Sequence, residues 1–211
     1  MIPWNNWFHC IGSTYGTWLR GDPRGWRSRH HREHVDGDYR KPPAPGEFEA
    51  LLNRSVRAMK RAPVVLGKDH RVIACREMGQ ALEYHGVELI DLSVGATHFH
   101  LLARFTPLEE EASPGIRIPG LQDPDTTDRY DVLKRTARHF VGIAKRSSAR
   151  ALSEAGLVPV GGVWAVRGSI RPVRNRAHQL DVARYIRGHA AQGAAVWSLL
   201  GDTGASPTRT R

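Results

Sequence analysis

GATHFHLLARF, residues 95–105, carries a fold signal and a chemical signal together. In an extended strand successive side chains alternate between faces. His98 and His100 therefore point the same way, with Cα atoms roughly 7 Å apart, while Phe99 and Leu101 point the other way. Leu101, Leu102, Ala103 and Phe105 are apolar enough for an internal strand, which would hold the two imidazoles rigidly above a packed sheet. Two imidazoles on one face make half of a metal site. The same pattern also occurs as two unrelated histidines on a half-buried strand, so the other half must come from elsewhere.

HQLDVARYIRGHAAQ, residues 178–192, supplies it. Read as a helix, this segment stacks Tyr185 and His189 one turn apart, with Val182 and His178 on the same stripe. A phenol and a third imidazole are presented together. Tyr and Val at helical spacing also suit a core, and His189 near a helix C-terminus would also suit the helix dipole.

The two segments together resemble the HUH-type single-tyrosine transposases, which include the REP-associated tyrosine transposases and the insertion-sequence transposases that move as single-stranded DNA. The carriers are His98-Phe99-His100, Tyr185-Ile-Arg-Gly-His189, TYGTWLRGDPRG (14–25) and GGVWAVRGSIRPV (161–173). The resemblance spans most of residues 6–192. It implies a ferredoxin-like core, one divalent metal ion (Mg²⁺ or Mn²⁺) on His98, His100 and His189, and Tyr185 as nucleophile. It further implies a 5′-phosphotyrosine with a free 3′-OH, hairpin-bearing single-stranded DNA as substrate, a homodimer, and a place in the bacterial cytoplasm, nucleoid-associated through DNA. Ala96-Thr97 stand where many members have Pro-Asn, and His189 stands where Asn or Gln is common. The first departure alters the turn into the strand, and the second exchanges an amide oxygen for an imidazole nitrogen. Three nitrogen ligands favour Mn²⁺ over Mg²⁺ in affinity.

The remaining chain frames these segments. Residues 4–15 read as a first strand, broken by the glycines and Pro23 of GTWLRGDPRGW. The basic loop 24–45 holds Arg27 and Arg29 as candidate phosphate contacts, with Trp26 as a stacking platform; a solvated loop is the alternative. His30, His31 and His34 lack an apolar frame and are not expected to form a second metal cluster. Residues 46–61 read as a helix with Phe48, Leu51, Leu52 and Val56 on its apolar face, and 63–66 as a short strand. Asp69 is expected to cap a helix reaching about His85, with Val72, Ile73, Cys75, Met78 and Leu82 inward and Gly86 ending it. Residues 87–95 then pair antiparallel with the histidine strand.

Residues 106–127, rich in Pro, Gly and acids, read as a long surface loop, a solvated insertion or a lid. The helix over 128–150 has Tyr130, Leu133, Ala137, Phe140 and Ala144 as its core stripe. Arg135, Arg138, Lys145 and Arg146 flank that stripe as candidate phosphate contacts, with His139 beside them. Residues 161–173 read as a bent strand or hairpin with Gly168 as a bulge candidate, and Asn175 as the cap of the tyrosine helix. The expected class is α+β, an antiparallel sheet covered mainly on one face by helices, in one domain (1–192) followed by a tail (193–211).

The composition suits a polyanionic partner, although solubility alone would also explain it. The chain has 211 residues, 31 Lys plus Arg against 21 Asp plus Glu, a net charge of +10 and a pI near 10.3. Neutralising phosphates with such charge releases counterions. Cys10 and Cys75 stand in no metal-like spacing, and no signal peptide or apolar span is visible, so an intracellular, soluble protein is expected. Two rivals use the same residues: a non-catalytic binder of single-stranded or hairpin nucleic acid, and a zinc protein or metal-dependent hydrolase that does not need Tyr185.

Overall fold

The computed structural model describes residues 3–24, 26, 44–107, 129–158 and 162–199. The strands are β1 (Trp7–Thr14), β2 (Glu88–Val94), β3 (His98–Arg104), β4 (Trp164–Pro172) and β5 (Ala195–Ser198). The helices are α1 (Glu49–Arg57), α2 (Lys68–Tyr84), α3 (Arg129–Glu154) and α4 (Arg176–Gly188). The strands form one sheet in the order β4-β1-β3-β2-β5, every neighbouring pair antiparallel. β1 and β2 thus run parallel on either side of β3, and β3 and β4 run parallel on either side of β1. These are two interleaved split β-α-β units, the ferredoxin-like arrangement, with α2 in the first crossover and α3 in the second. The class is α+β, as the sequence implied.

Alternation along the strands divides the core. Phe8 and Cys10 of β1, Leu92 and Val94 of β2, and Phe99, Leu101 and Ala103 of β3 face α2 and α3, whose Ala74, Met78, Leu82, Leu133, Ala137 and Ala144 complete the larger core. The opposite face is covered by α4, through a smaller cluster of Trp7, Leu102, Val173, Val182, Ala183 and Ile186. β3 sits at the centre of the sheet, buried as its apolar run required.

Gly12 is required by a close approach. It lies opposite Phe99 in the β1–β3 register, and a Cβ there would stand 2.3 Å from the Phe99 ring. That ring is fully buried edge-on against Trp164, with centroids 5.1 Å apart, so it has little room to move. Gly12→Ala is expected to destabilise the fold by about 1–3 kcal/mol, the usual cost of overpacking. A denaturant midpoint unchanged from the parent would contradict this.

Several boundaries differ from the sequence reading. The first strand begins at Trp7, because Trp4–Asn6 form a 3-10 turn with Asn5 and Asn6 in the left-handed region that asparagine tolerates. Residues 63–66 are extended but join no ladder. Instead Val64 N–H donates to the Tyr15 carbonyl (2.9 Å) and Leu66 N–H to the Ala96 carbonyl (2.8 Å). The cap of α2 is Gly67, and Asp69 lies inside the first turn, where its charge suits the dipole. Val72 is 42% exposed rather than inward. Gly86 does end the helix in the left-handed conformation, with φ +70°. α3 runs four residues beyond the expected Arg150, to Glu154. The expected tail contains β5, which hydrogen-bonds to the edge of β2 and sets Trp197 against the larger core. Four residues are too few for alternation to reveal a strand.

β4 is irregular near Gly168, as expected. Gly12 pairs with Gly168 and Thr14 with Trp164, so one residue of β1 opposes three of β4 between those pairs. The Lys145 ammonium of α3 donates to two carbonyls there, those of Ala165 and Val166. Among the described residues, no helix is long and apolar enough to cross a membrane.

Candidate metal and tyrosine site

On the face of the sheet under α4, β3 presents His98 and His100 and the end of α4 presents Tyr185 and His189. Asn175 caps that helix, accepting the His178 N–H through its side chain at 2.9 Å. His189 follows at the C-terminus, where a short 3-10 turn (His189–Gln192) begins, and it is buried. Each of His98, His100 and His189 offers a nitrogen, and these nitrogens lie within 4.8 Å of one another. The rings of His100 and His189 are stacked at 4.7 Å, and His98 stands edge-on to His100 at 5.0 Å. Tyr185 packs against His189 (4.6 Å) and His100 (5.2 Å) yet remains 54% exposed. The two sequence segments therefore meet, and the phenol stands at the mouth of the histidine cluster.

The Ala96-Thr97 turn into β3 is fixed by its backbone. The Thr97 carbonyl accepts from Thr14 N–H (2.8 Å) and from the Thr14 and Thr17 hydroxyls, while the Ala96 carbonyl accepts from Leu66. Entry into β3 is held without a proline.

The donor set suits a divalent cation. The Nδ1 of His189 lies 3.3 Å from the Ile186 carbonyl and 3.4 Å from the Ser93 hydroxyl. The Nδ1 of His98 lies 3.2 Å from the Thr97 hydroxyl, and the Nδ1 of His100 lies 3.0 Å from His9 Nε2. With every Nδ1 engaged, Nε2 is the nitrogen left to face an ion. Burial, with neighbouring positive charge, pushes His100 down to about 2 and His9 down to about 4, and it lowers His98 as well. These imidazoles are neutral near pH 7, the form that binds metal.

The same depression sets a pH dependence for the metal-free fold. His9 and His100 hold their protons less tightly in the folded state than at the ordinary 6.5. The unfolded chain therefore binds the extra protons between that value and the folded one, and stability falls as pH drops below about 6.5. It should fall by up to ~1.4 kcal/mol per pH unit for each histidine. Denaturant midpoints at pH 7.5, 6.0 and 5.0 measure this, and a flat profile would contradict it.

Several residues at this site were not read from the sequence. His9 and Arg171 are cross-strand partners in the β1–β4 register, both on the α4 face, and Arg171 lowers the proton affinity of His9 and His100. Arg24 acts on His98 in the same way; it stacks 4.8 Å over Trp18 and pairs with Asp22 at 2.5 Å. Asp91 is fully buried on the same face. Burial raises its pKa, while Ser198 and Arg187, the latter 3.3 Å away, favour its charged form. Period-2 alternation in WFHCIGST puts His9 with Trp7 and Ile11, but only the strand order reveals that this face meets β3 beside the histidines.

The candidate phosphate contacts lie elsewhere. Arg135, Arg138, Lys145 and Arg146 are on α3, which packs on the face of the sheet opposite the histidines. Arg138 and Arg146 are exposed, Arg135 is half-buried, and Lys145 is committed to the β4 carbonyls with its pKa lowered by burial. Trp26 is 5% exposed and packs edge-on to Phe48 at 5.4 Å, so it is no open stacking platform; Trp18, 52% exposed, is the accessible indole nearby. Arg27, Arg29, His30, His31 and His34, with residues 108–128 and those beyond 199, lie outside the described residues. Comparisons with protein-family models, curated proteins and solved structures found no match.

Proposed function

We propose that this protein cleaves and rejoins single-stranded DNA through a tyrosine–DNA intermediate, with a divalent cation held by His98, His100 and His189. The observation that carries the reading is the half-exposed phenol of Tyr185, in ring contact with two of the three converging histidines. When bound, the cation would polarise a phosphodiester oxygen and help orient the scissile group.

The residues of the chain do the rest. Tyr185 attacks phosphorus through its hydroxyl oxygen and gives its proton to solvent water. The bond to the 3′ oxygen breaks, that oxygen takes up a proton, and the 5′ phosphate stays on the phenol. The phenol has a reference pKa of about 10, far below that of an alkyl alcohol, so it also leaves well and the step can reverse with a DNA 3′-OH as acceptor. Arg171, on the histidine side, would supply positive charge for the phosphates. Arg138 and Arg146 would contact a hairpin arm passing around the sheet. DNA transposition or the processing of hairpin-forming repeats is the biological form of such chemistry.

The test uses 5′- and 3′-labelled single-stranded DNA carrying hairpins, drawn from sequence flanking the gene, resolved on denaturing gels with Mn²⁺ or EDTA. The proposal expects a protein-linked band carrying the label 3′ of the cut and a free fragment ending in 3′-OH. Two free fragments with no linked band would point to a hydrolase. Tight binding without any cut would leave a nucleic-acid-binding protein.

A further inference from the structure

His9 lies on neither of the segments that carry the metal and tyrosine residues, yet it reaches the centre of the site. On β1 it opposes Leu102, while His100 on β3 opposes Ile11, so the two histidines are diagonal neighbours on one face. Their rings stack at 5.2 Å with 30° between planes, and His9 Nε2 stands 3.0 Å from His100 Nδ1. Both side chains are buried. His9 also touches the Tyr185 ring edge-on at 6.2 Å.

We infer that His9 is a positioning residue: its Nε2 accepts the Nδ1–H of His100, fixing the tautomer and ring plane that turn His100 Nε2 toward the metal position. The inference rests on the metal reading above and adds a residue to it. Metal-binding histidines commonly have a carboxylate, a backbone carbonyl or a water in this role. Asp91, the buried carboxylate on this face, is instead paired with Arg187. A neutral imidazole orients His100 without adding negative charge beside the ion. The cation keeps more of its charge for a phosphate than it would beside a carboxylate, which suits a polyanionic substrate. The hydrogen bond runs between adjacent central strands, so the orientation is set by the sheet rather than by a loop.

Three full-length proteins test this: the parent, His9→Gln and His9→Phe. Mn²⁺ affinity is measured by paramagnetic resonance, and the His100 tautomer in metal-free protein by long-range ¹H–¹⁵N correlation. The parent should show His100 protonated on Nδ1. His9→Phe, which cannot accept, should lose that tautomer and bind Mn²⁺ about 10–100-fold more weakly, the usual cost of removing such a partner. His9→Gln, whose amide oxygen can accept, should stay within about 3-fold of the parent. A parent His100 protonated on Nε2 would overturn the inference, a measurement that needs no variant to fold. Equal affinity in the parent and His9→Phe would overturn it while leaving the metal site standing. If the parent binds no Mn²⁺, the metal reading fails and takes this role with it.

Discussion

Tyr185→Phe is expected to abolish covalent capture of single-stranded DNA, with a rate at least about 10⁴-fold below the parent, because removal of a nucleophile costs factors of that size or larger. The substitution deletes one hydroxyl from a ring that is 54% exposed and keeps the edge-on contacts with His100 and His189. Stability should therefore stay within about 0.5 kcal/mol of the parent, as for other changes at exposed positions. Metal affinity should be unchanged, since the phenol is not among the converging nitrogens. DNA binding, measured by anisotropy, should also persist. If strand cutting continued at the parent rate, the histidines would be serving a hydrolase that activates water, and Tyr185 would be only a surface residue of α4.

His100→Ala should have the second large effect, on metal binding. His100 is the more enclosed of the two strand histidines, stacked on His189 at 4.7 Å and edge-on to His98 at 5.0 Å. Its loss would remove one ligand of the proposed site outright, so Mn²⁺ affinity should fall by more than the 10–100-fold typical of losing a partner outside the coordination sphere. Removal also leaves His9 Nε2 buried without its partner and opens a small cavity, so the metal-free fold should lose about 1–3 kcal/mol. His98→Ala separates the two consequences. His98 is only partly buried, so metal affinity should fall with little change in stability. Mn²⁺ binding unchanged in both variants would remove the histidines from the site.

The α+β fold was legible from β3 outward because its apolar run is long and its two faces differ chemically. Phe99 and Leu101 did go to the core, and His98 and His100 to the other face. The Tyr185–His189 pair was legible because helical spacing leaves no choice of face once α4 is capped at Asn175. What sequence could not supply was strand order. His9 is one histidine on a strand of mixed composition, and its importance comes from β1 lying next to β3, across a separation of many residues. For the same reason the sequence cannot separate Lys145 from its basic neighbours on α3, although Lys145 satisfies carbonyls exposed by the irregular β4 pairing. A lysine that caps a bulge and a lysine that meets a phosphate look alike until the partner strand is known. β5 was invisible because its four residues gain strand character from the edge of β2 rather than from their own pattern.

The most direct measurement is peptide mapping by mass spectrometry of protein incubated with the hairpin-bearing single-stranded DNA pool, trimmed with nuclease, in parallel samples with Mn²⁺ and with EDTA. A nucleotide linked through phosphate to Tyr185 in the Mn²⁺ sample, and absent with EDTA, is the predicted result. A nucleotide on another residue, or cleaved DNA with Tyr185 unmodified throughout the time course, would contradict a tyrosine strand-transfer site built on His98, His100 and His189.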